Sequence, residues 1–510
     1  MIGTPIRKPA GKRAPHRGQS GIALFVLIAL TGLLAFVAVL NLVPKTNVDQ
    51  AREQVTDAAL ARAKQALIAY AVSRMDEFAN GTGVPGRLPC PSTRAPATGE
   101  EEGSNSVLNP DCLGQYESVV GRLPWKTLGI EPLRDGYGEC LWYVVAGNYK
   151  GGPQAGTVLN WDTLGQLVIF SSELLPDNTR PRLAGSTTLN QAVAAVIAPG
   201  PAIEGSVSQV RDRVANTQNC PGNYVPSNYL DAGGGYDNAS PSTVPGGITQ
   251  MINGYVNPVT RAIEVNDRIV FITARDVFDA IKARKDFVGS AGSPGRLRQL
   301  TQMVADCLRQ YTTHLNTNLN DRRMIFAGEQ AVSDYRSRLA YVDYPQNSDA
   351  RLRGRVPYTV LNTKDELDSR GLTELLTTCS HWTASPTFVP WYENWKDHLY
   401  LAVAPDFDPK HGNETSTVCA SACLTVGVTT NVAAVVYFAG SRLESPLQAV
   451  TTNSQRNTIS NYLDGLNATR FSNASSGNDL LSSDANPSLT NDIAYCVRVP
   501  TPGNVEVVPC

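Results

Sequence analysis

The residues best equipped for chemistry are ten cysteines: Cys90, Cys112, Cys140, Cys220, Cys307, Cys379, Cys419, Cys423, Cys496 and Cys510. Thiols can attack, bind metal or pair. An even number, all placed after a long apolar segment, favours pairing on an exported side. Cys419-Ala-Ser-Ala-Cys423 has one residue too many for a thioredoxin-like motif and reads as a short disulfide. The histidines His16, His314, His381, His398 and His411 show no His-x-x-x-His or His-Glu-x-x-His spacing. There is no Gly-x-Ser-x-Gly elbow and no Gly-x-x-x-x-Gly-Lys-Ser/Thr phosphate loop. The expectation is a protein that is not an enzyme and has no metal site. Calcium is the one cofactor with any foothold, at the acidic loops Asp406-Phe407-Asp408 and Asp484-Ala485-Asn486. Neither completes an EF-hand, so both read as solvated turns. Trp142, Trp382, Trp391 and Trp395 read as core.

These residues need a scaffold, and its first part is the N-terminus. Residues 1–21 carry Arg7, Lys8, Lys12, Arg13 and Arg17 and no acid. Without these five cations the formal net charge falls from −2 to −7, and neither value argues for nucleic-acid binding. Ile22 to Val43 is a run of 22 uncharged residues, long enough as a helix to cross a bilayer. The basic flank keeps residues 1–21 cytoplasmic and sends the rest to the periplasm. A cleavable secretory signal would have a shorter apolar core and a small-residue site after it. Beyond Pro44, Val48, Ala51, Val55, Ala59, Ala63, Leu67 and Tyr70 recur at helical steps. The reading is one long helix over 22–80, kinked at Pro44, with 22–43 in the membrane and an amphipathic half beyond.

A basic leader, Gly21, an apolar helix from Ile22, a following proline and an amphipathic continuation together resemble the prepilin signal of type IV pilins and pseudopilins. The resemblance implies cleavage by a prepilin peptidase after Gly21 and methylation of the new terminus at Ile22. It also implies an inner-membrane stage and then a filament built with other major and minor pilins through the helix. Most family members carry glutamate at the fifth mature residue, where this chain has Val26. In the family that acid pairs with a neighbour's terminal amine, and a buried charge needs such a partner. A subunit at a filament tip has no neighbour above it, so Val26 points toward the tip.

The body, residues 81–510, shows signs of duplication. Gly86-Arg87-Leu88-Pro89-Cys90 and residues 121–147, with GRLPW, LRDGYG and LWY, resemble runs in large prepilin-like proteins. Val193–Val196 recurs as Val432–Val435, Ser227–Asp231 as Ser460–Asp464, and Asn266-Asp267 as Asn491-Asp492, at offsets of 239, 233 and 225. Cys112 precedes Pro124-Trp125 much as Cys379 precedes Pro390-Trp391. The order is common to both halves, which favours a repeated domain. The expected class is α+β: a first pilin-like lobe over 81–288, a linker at Gly289–Gly295, and a second lobe over 289–510 opening with a helix at 296–316. Each lobe is expected to be a helix on an antiparallel sheet. Strands are expected at Leu141–Ala146, Leu167–Phe170, Ala192–Ile197, Arg268–Thr273, Tyr400–Ala404, Leu424–Val428, Ala433–Phe438 and Ile493–Val499. Duplication then suggests Cys90–Cys112 and Cys307–Cys379 as loop closures of the two copies; Cys419–Cys423 and Cys496–Cys510 are local candidates, which leaves Cys140 with Cys220, although sequence alone does not fix connectivity.

The function expected is that of a minor pilin or pseudopilin at or near the tip of a type IV pilus or type II secretion pseudopilus. A tip adhesin and a membrane-anchored periplasmic enzyme are the alternatives.

Overall fold

The computed structural model describes residues 45–76, 84–93, 101–105, 112, 116–151, 158–203, 219–220, 222–314, 324–342, 352–360, 373–374, 379–380, 388–408, 419, 422–444, 447–473, 477–501 and 504–510. The leader, Gly21, Ile22, Val26, Pro44 and the apolar run Ile22–Val43 lie outside these residues. Among the described residues no helix is long and apolar enough to cross a membrane. The chain divides into two compact units, Met1–Val55 and Thr56–Cys510.

Helix α1 spans Lys45–Ser73 without a glycine or proline and with many alanines, which favours the helical state. Its side chains over 47–55, Val48 and Val55 among them, are exposed. From Thr56 onward, Ala59, Leu60, Ala63, Leu67 and Ala71 are buried at helical spacing. The apolar stripe read from the sequence is therefore used only in its second part. The helix also stops earlier than residue 80. The carbonyl of Ala71, in the last turn, accepts the N–H of Gly86 as the chain doubles back.

Two seven-stranded sheets follow, so the fold is mixed α/β. The first holds β1 (Val119–Arg122), β2 (Trp142–Val145), β3 (Leu167–Ser171), β4 (Arg182–Ala184), β5 (Ala192–Ala198), β6 (Thr249–Asn253) and β7 (Arg268–Thr273). Helix α2 (Ala274–Lys282) follows, and α3 (Arg296–His314) opens the second half. The second sheet holds β8 (Arg353–Arg355), β9 (Leu399–Val403), β10 (Leu424–Val426), β11 (Thr429–Phe438), β12 (Asp479–Leu480), β13 (Ile493–Thr501) and β14 (Asn504–Pro509). Helix α4 (Phe388–Trp395) precedes β9, and α5 (Gly465–Ser472) precedes β12.

Six strands of each sheet share one topology; the seventh differs, with β4 beside β3 in the first sheet and β14 beside β13 in the second. In the first, β5 runs between β2 and β7, antiparallel to both, and β1 flanks β2. In the second, β11 runs between β9 and β13 in the same way, and β8 flanks β9. Strand β3 meets β5 antiparallel and β6 parallel, just as β10 meets β11 and β12. The expected purely antiparallel sheets are thus corrected to mixed ones. The long excursions between β3 and β6, and between β10 and β12, let the chain return in the same direction. Even a bulge is repeated. Ile272 faces Ala194 and Thr273 faces Ala192, while Val497 faces Ala434 and Arg498 faces Val432. Ala194 therefore corresponds to Ala434. Matching Val193–Val196 to Val432–Val435 by identity is one residue out, a slip that would exchange the two faces of the strand.

Gly289–Gly295 is a tight hairpin, Gly289–Ser290 against Ser293–Pro294, and not an extended linker. Helix α3 buries Leu297, Leu300, Val304 and Leu308. The disulfides are Cys90–Cys112, Cys140–Cys220, Cys307–Cys379, Cys419–Cys423 and Cys496–Cys510. These are the five pairs expected from the sequence. Both lobes belong to one compact unit, and one apolar cluster runs through them by way of Leu159, Trp161, Phe278, Phe287, Trp395 and Phe438.

Candidate functional site at the lobe junction

Each lobe contains a buried arginine in an aromatic sandwich. Arg122 stacks on Trp142 and Tyr229 at 5.0 and 4.6 Å; Arg355 stacks on Tyr400 and Tyr462 at 5.1 Å each. Desolvating a guanidinium needs such partners and carbonyl acceptors. Arg122 donates to the carbonyl of Asn223, and Arg355 to those of Arg456 and Asp397. The glycine before each arginine lets a further backbone segment approach. A side chain on Gly121 would strike the carbonyl of Ser92, and one on Gly354 that of Gly328. Those same segments bridge to Arg122 and Arg355. Gly354-Arg355-Val356-Pro357 is thus the second-lobe version of Gly121-Arg122-Leu123-Pro124. Pro357, and not Pro390 in α4, is therefore the counterpart of Pro124, which corrects the match to Pro390-Trp391.

The lobes meet where the first-lobe loop at 158–164 enters the second lobe. Asn160 donates to Asp397 Oδ1 at 3.0 Å and to the carbonyl of Asn394 at 2.9 Å. Leu159 N–H donates to Asn394 Oδ1 at 2.7 Å. His398 lies between carboxylates from the two lobes, with Nδ1 at 2.9 Å from Asp397 and Nε2 at 3.0 Å from Asp162. Arg456 pairs with Asp397 at 2.9 Å and also donates to the carbonyl of Asp162 at 2.9 Å. Arg442 Nε lies 2.9 Å from Asp162 Oδ1.

His398 Nε2 faces two competing partners. The indole N–H of Trp161, at 2.8 Å, can donate to it only when it is unprotonated. Asp162 is an ion-pair partner only when it is protonated. Burial pushes the imidazole down, but the charges of Asp397 and Asp162 outweigh burial and hold His398 up at about 9. At neutral pH the imidazolium pairing with Asp162 therefore wins. Burial pushes Asp397 upward, yet His398, Arg456 and Arg355 hold its carboxyl well below the usual range. The His398 side chain is 1% exposed and both its nitrogens are engaged, so it cannot reach a substrate as a general base. What the arrangement can do is join the lobes and respond to protons.

A cleft of about 480 Å³ adjoins the junction, lined by Trp161, Asn190, Ala274, Phe278, Arg442 and Leu447 from both lobes. A smaller cavity of about 230 Å³ includes Tyr116, Thr163, Tyr335 and Arg456.

The other residues singled out from the sequence fall elsewhere. Trp391 and Trp395 are core residues at 5% and 0% exposure, and Trp142 is buried. Trp382, His16, His381 and His411 lie outside the described residues. Asp484 is held by two bonds from Arg298, and Asp406 accepts the N–H of Ala422. Among the described residues no group of three His, Cys, Asp or Glu is placed to hold a metal ion. Compared with family models, curated proteins and solved structures, the chain matches none.

Proposed function

We propose that the chain is a minor pilin or pseudopilin, processed at Gly21, that acts in filament assembly and surface contact at or near a tip. One observation carries the reading. A basic, acid-free segment, an uncharged run Ile22–Val43 and Pro44 lead directly into α1, which buries its own face only from Thr56 onward. An anchor segment joined to a helix that half packs on a sheet is what such a subunit requires. Five disulfides fit an exported site of action. On this reading the chain passes once through the inner membrane with its C-terminus periplasmic, meets a prepilin peptidase, and then joins other pilins. Val26 favours the tip over the shaft.

The processing claim is tested by mass spectrometry of the mature protein, which should begin at Ile22 with a methylated amine. A Gly21→Val variant should remain at precursor length; normal processing of that variant would overturn the claim. Immunogold label should decorate filament ends, and label along the shaft would remove the tip assignment. The interlobe cleft favours a second reading, an adhesin whose ligand sits between the lobes.

A further inference from the structure

Each lobe contains a cage of two buried aspartates. In the first, Asp231 N–H donates to Asp267 Oδ2 at 2.9 Å and Asn266 N–H donates to Asp231 Oδ2 at 2.8 Å. Asn238 bridges Asp267 to Ile252 at the end of β6. In the second, Asp464 N–H donates to Asp492 Oδ2 at 3.1 Å and Asn491 N–H donates to Asp464 Oδ2 at 3.0 Å. Asn467 bridges Asp492 to Leu481 just after β12. The asparagine before the second aspartate tethers the loop after the central strand, through the carbonyl of Pro201 or of Ser441.

The second cage has an added connection. Gln448 donates to Asp464 Oδ1 at 3.0 Å and accepts the N–H of Leu443 at 2.7 Å. Ser441, Leu443 and Gln448 all line the interlobe cleft. Asp464 and Asp492 are 3% and 0% exposed, and among the described residues neither takes part in an ion pair. Asp492 Oδ1 is buried and has no hydrogen-bond partner. Two full negative charges in one dry cage without a cation are costly, and one retained proton removes the cost.

We propose that the Asp464–Asp492 cage holds a single proton whose loss sets two buried charges against each other and loosens the cleft wall formed by Ser441, Leu443 and Gln448, so that the interlobe cleft responds to pH. Burial, then the charge of Asp464, pushes Asp492 up to about 7, against hydrogen bonds from Asn467, the Asp464 backbone and Thr490. The other titratable groups that feel Asp492 are the phenols of Tyr400 on β9 and Tyr437 on β11, both kept neutral by burial. The folded value lies above that of a free carboxyl. Order in the wall is thus complete at acid pH and is lost as pH rises through about 7.

The test is amide hydrogen exchange of residues 441–444 and 447–448 in the oxidised full-length chain, corrected for intrinsic pH dependence. Protection should fall about tenfold between pH 6 and pH 8. Asp492→Asn should abolish that change, and Asp267→Asn in the first lobe should leave it intact. Asp464→Asn, which removes the repelling charge, should move the transition to lower pH. An unchanging wild type, a response that survives Asp492→Asn, or an unmoved midpoint in Asp464→Asn would each overturn the proposal.

Discussion

The two lobes differ most at one matched position. The strand pairing that aligns Trp142 with Tyr400 also aligns Glu139-Cys140 with Asp397-His398. In the first lobe Cys140 is bonded to Cys220. In the second, Asp397 pairs with both His398 and Arg456, and the carbonyl of Arg456 accepts from Arg355 just as that of Asn223 accepts from Arg122. At this position the first lobe is stapled covalently and the second electrostatically. A disulfide satisfies its two sulfurs internally and offers nothing outward. The histidine–aspartate pair keeps bonding capacity, and Asn160 and Asp162 of the first lobe use it. The asymmetry adds a polar lock to the apolar cluster that the two lobes share.

Breaking the electrostatic version should have the larger effect. Asp397→Ala leaves His398 and Arg456 buried without their shared carboxylate and should cost about 5 kcal/mol, the upper end for removing one partner of a buried pair. Urea unfolding should also separate into two transitions, because the lobes lose their common lock. Breaking the covalent version comes next. Replacing Cys140 and Cys220 by Ala removes a closure 80 residues long and should cost about 4 kcal/mol by chain entropy. That variant should keep a single transition, since its damage stays within one lobe.

Much of the chassis was legible in the sequence, and the junction was not. Strand Arg268–Thr273 is found at the expected boundaries because a polar Asn-Asp turn and a helix cap at Thr273 bracket its apolar run. The repeat is legible in motifs as short as Asn-Tyr-Leu-Asp, and two of the disulfides rest on it, while Cys419–Cys423 and Cys496–Cys510 are legible from proximity alone. β1 and β8 were missed because they are four and three residues long, with arginines and glycines that do not read as strand. β14 escapes a sequence reading because its alternation covers only Asn504–Val507 before Val508 and Pro509 end it. The junction left no motif at all. Trp161 and His398 are 237 positions apart, and each alone reads as an ordinary core residue.

The pH dependence of the lock sharpens the comparison further. His398 binds its proton more tightly in the folded chain than a free imidazole with a value of 6.5 does. Its stabilisation is therefore complete below pH 6.5 and lost as pH rises through about 9. Thermal melts of the wild type should fall between pH 7 and 10. His398→Gln should start lower and decline less over that range, whereas the variant lacking Cys140 and Cys220 should decline as the wild type does. A decline of equal depth in His398→Gln would place the titrating group elsewhere.

The smallest effect should come from the second lobe's own local staple. Cys419–Cys423 has a sequence separation of 4, so it restrains little of the unfolded chain and should contribute at most about 2 kcal/mol. Both its cysteines are half-buried, whereas the other eight are buried. Exposure and small stabilisation act together: this bond should be the first reduced by dithiothreitol, with the urea midpoint hardly moved. Alkylation mapping under mild reduction should label Cys419 and Cys423 before Cys140 and Cys220. Equal labelling of the two pairs would mean that burial does not protect the Cys140–Cys220 staple. The contrast between a sealed covalent staple and an adjustable ionic one at the matched position would then fail at its covalent end.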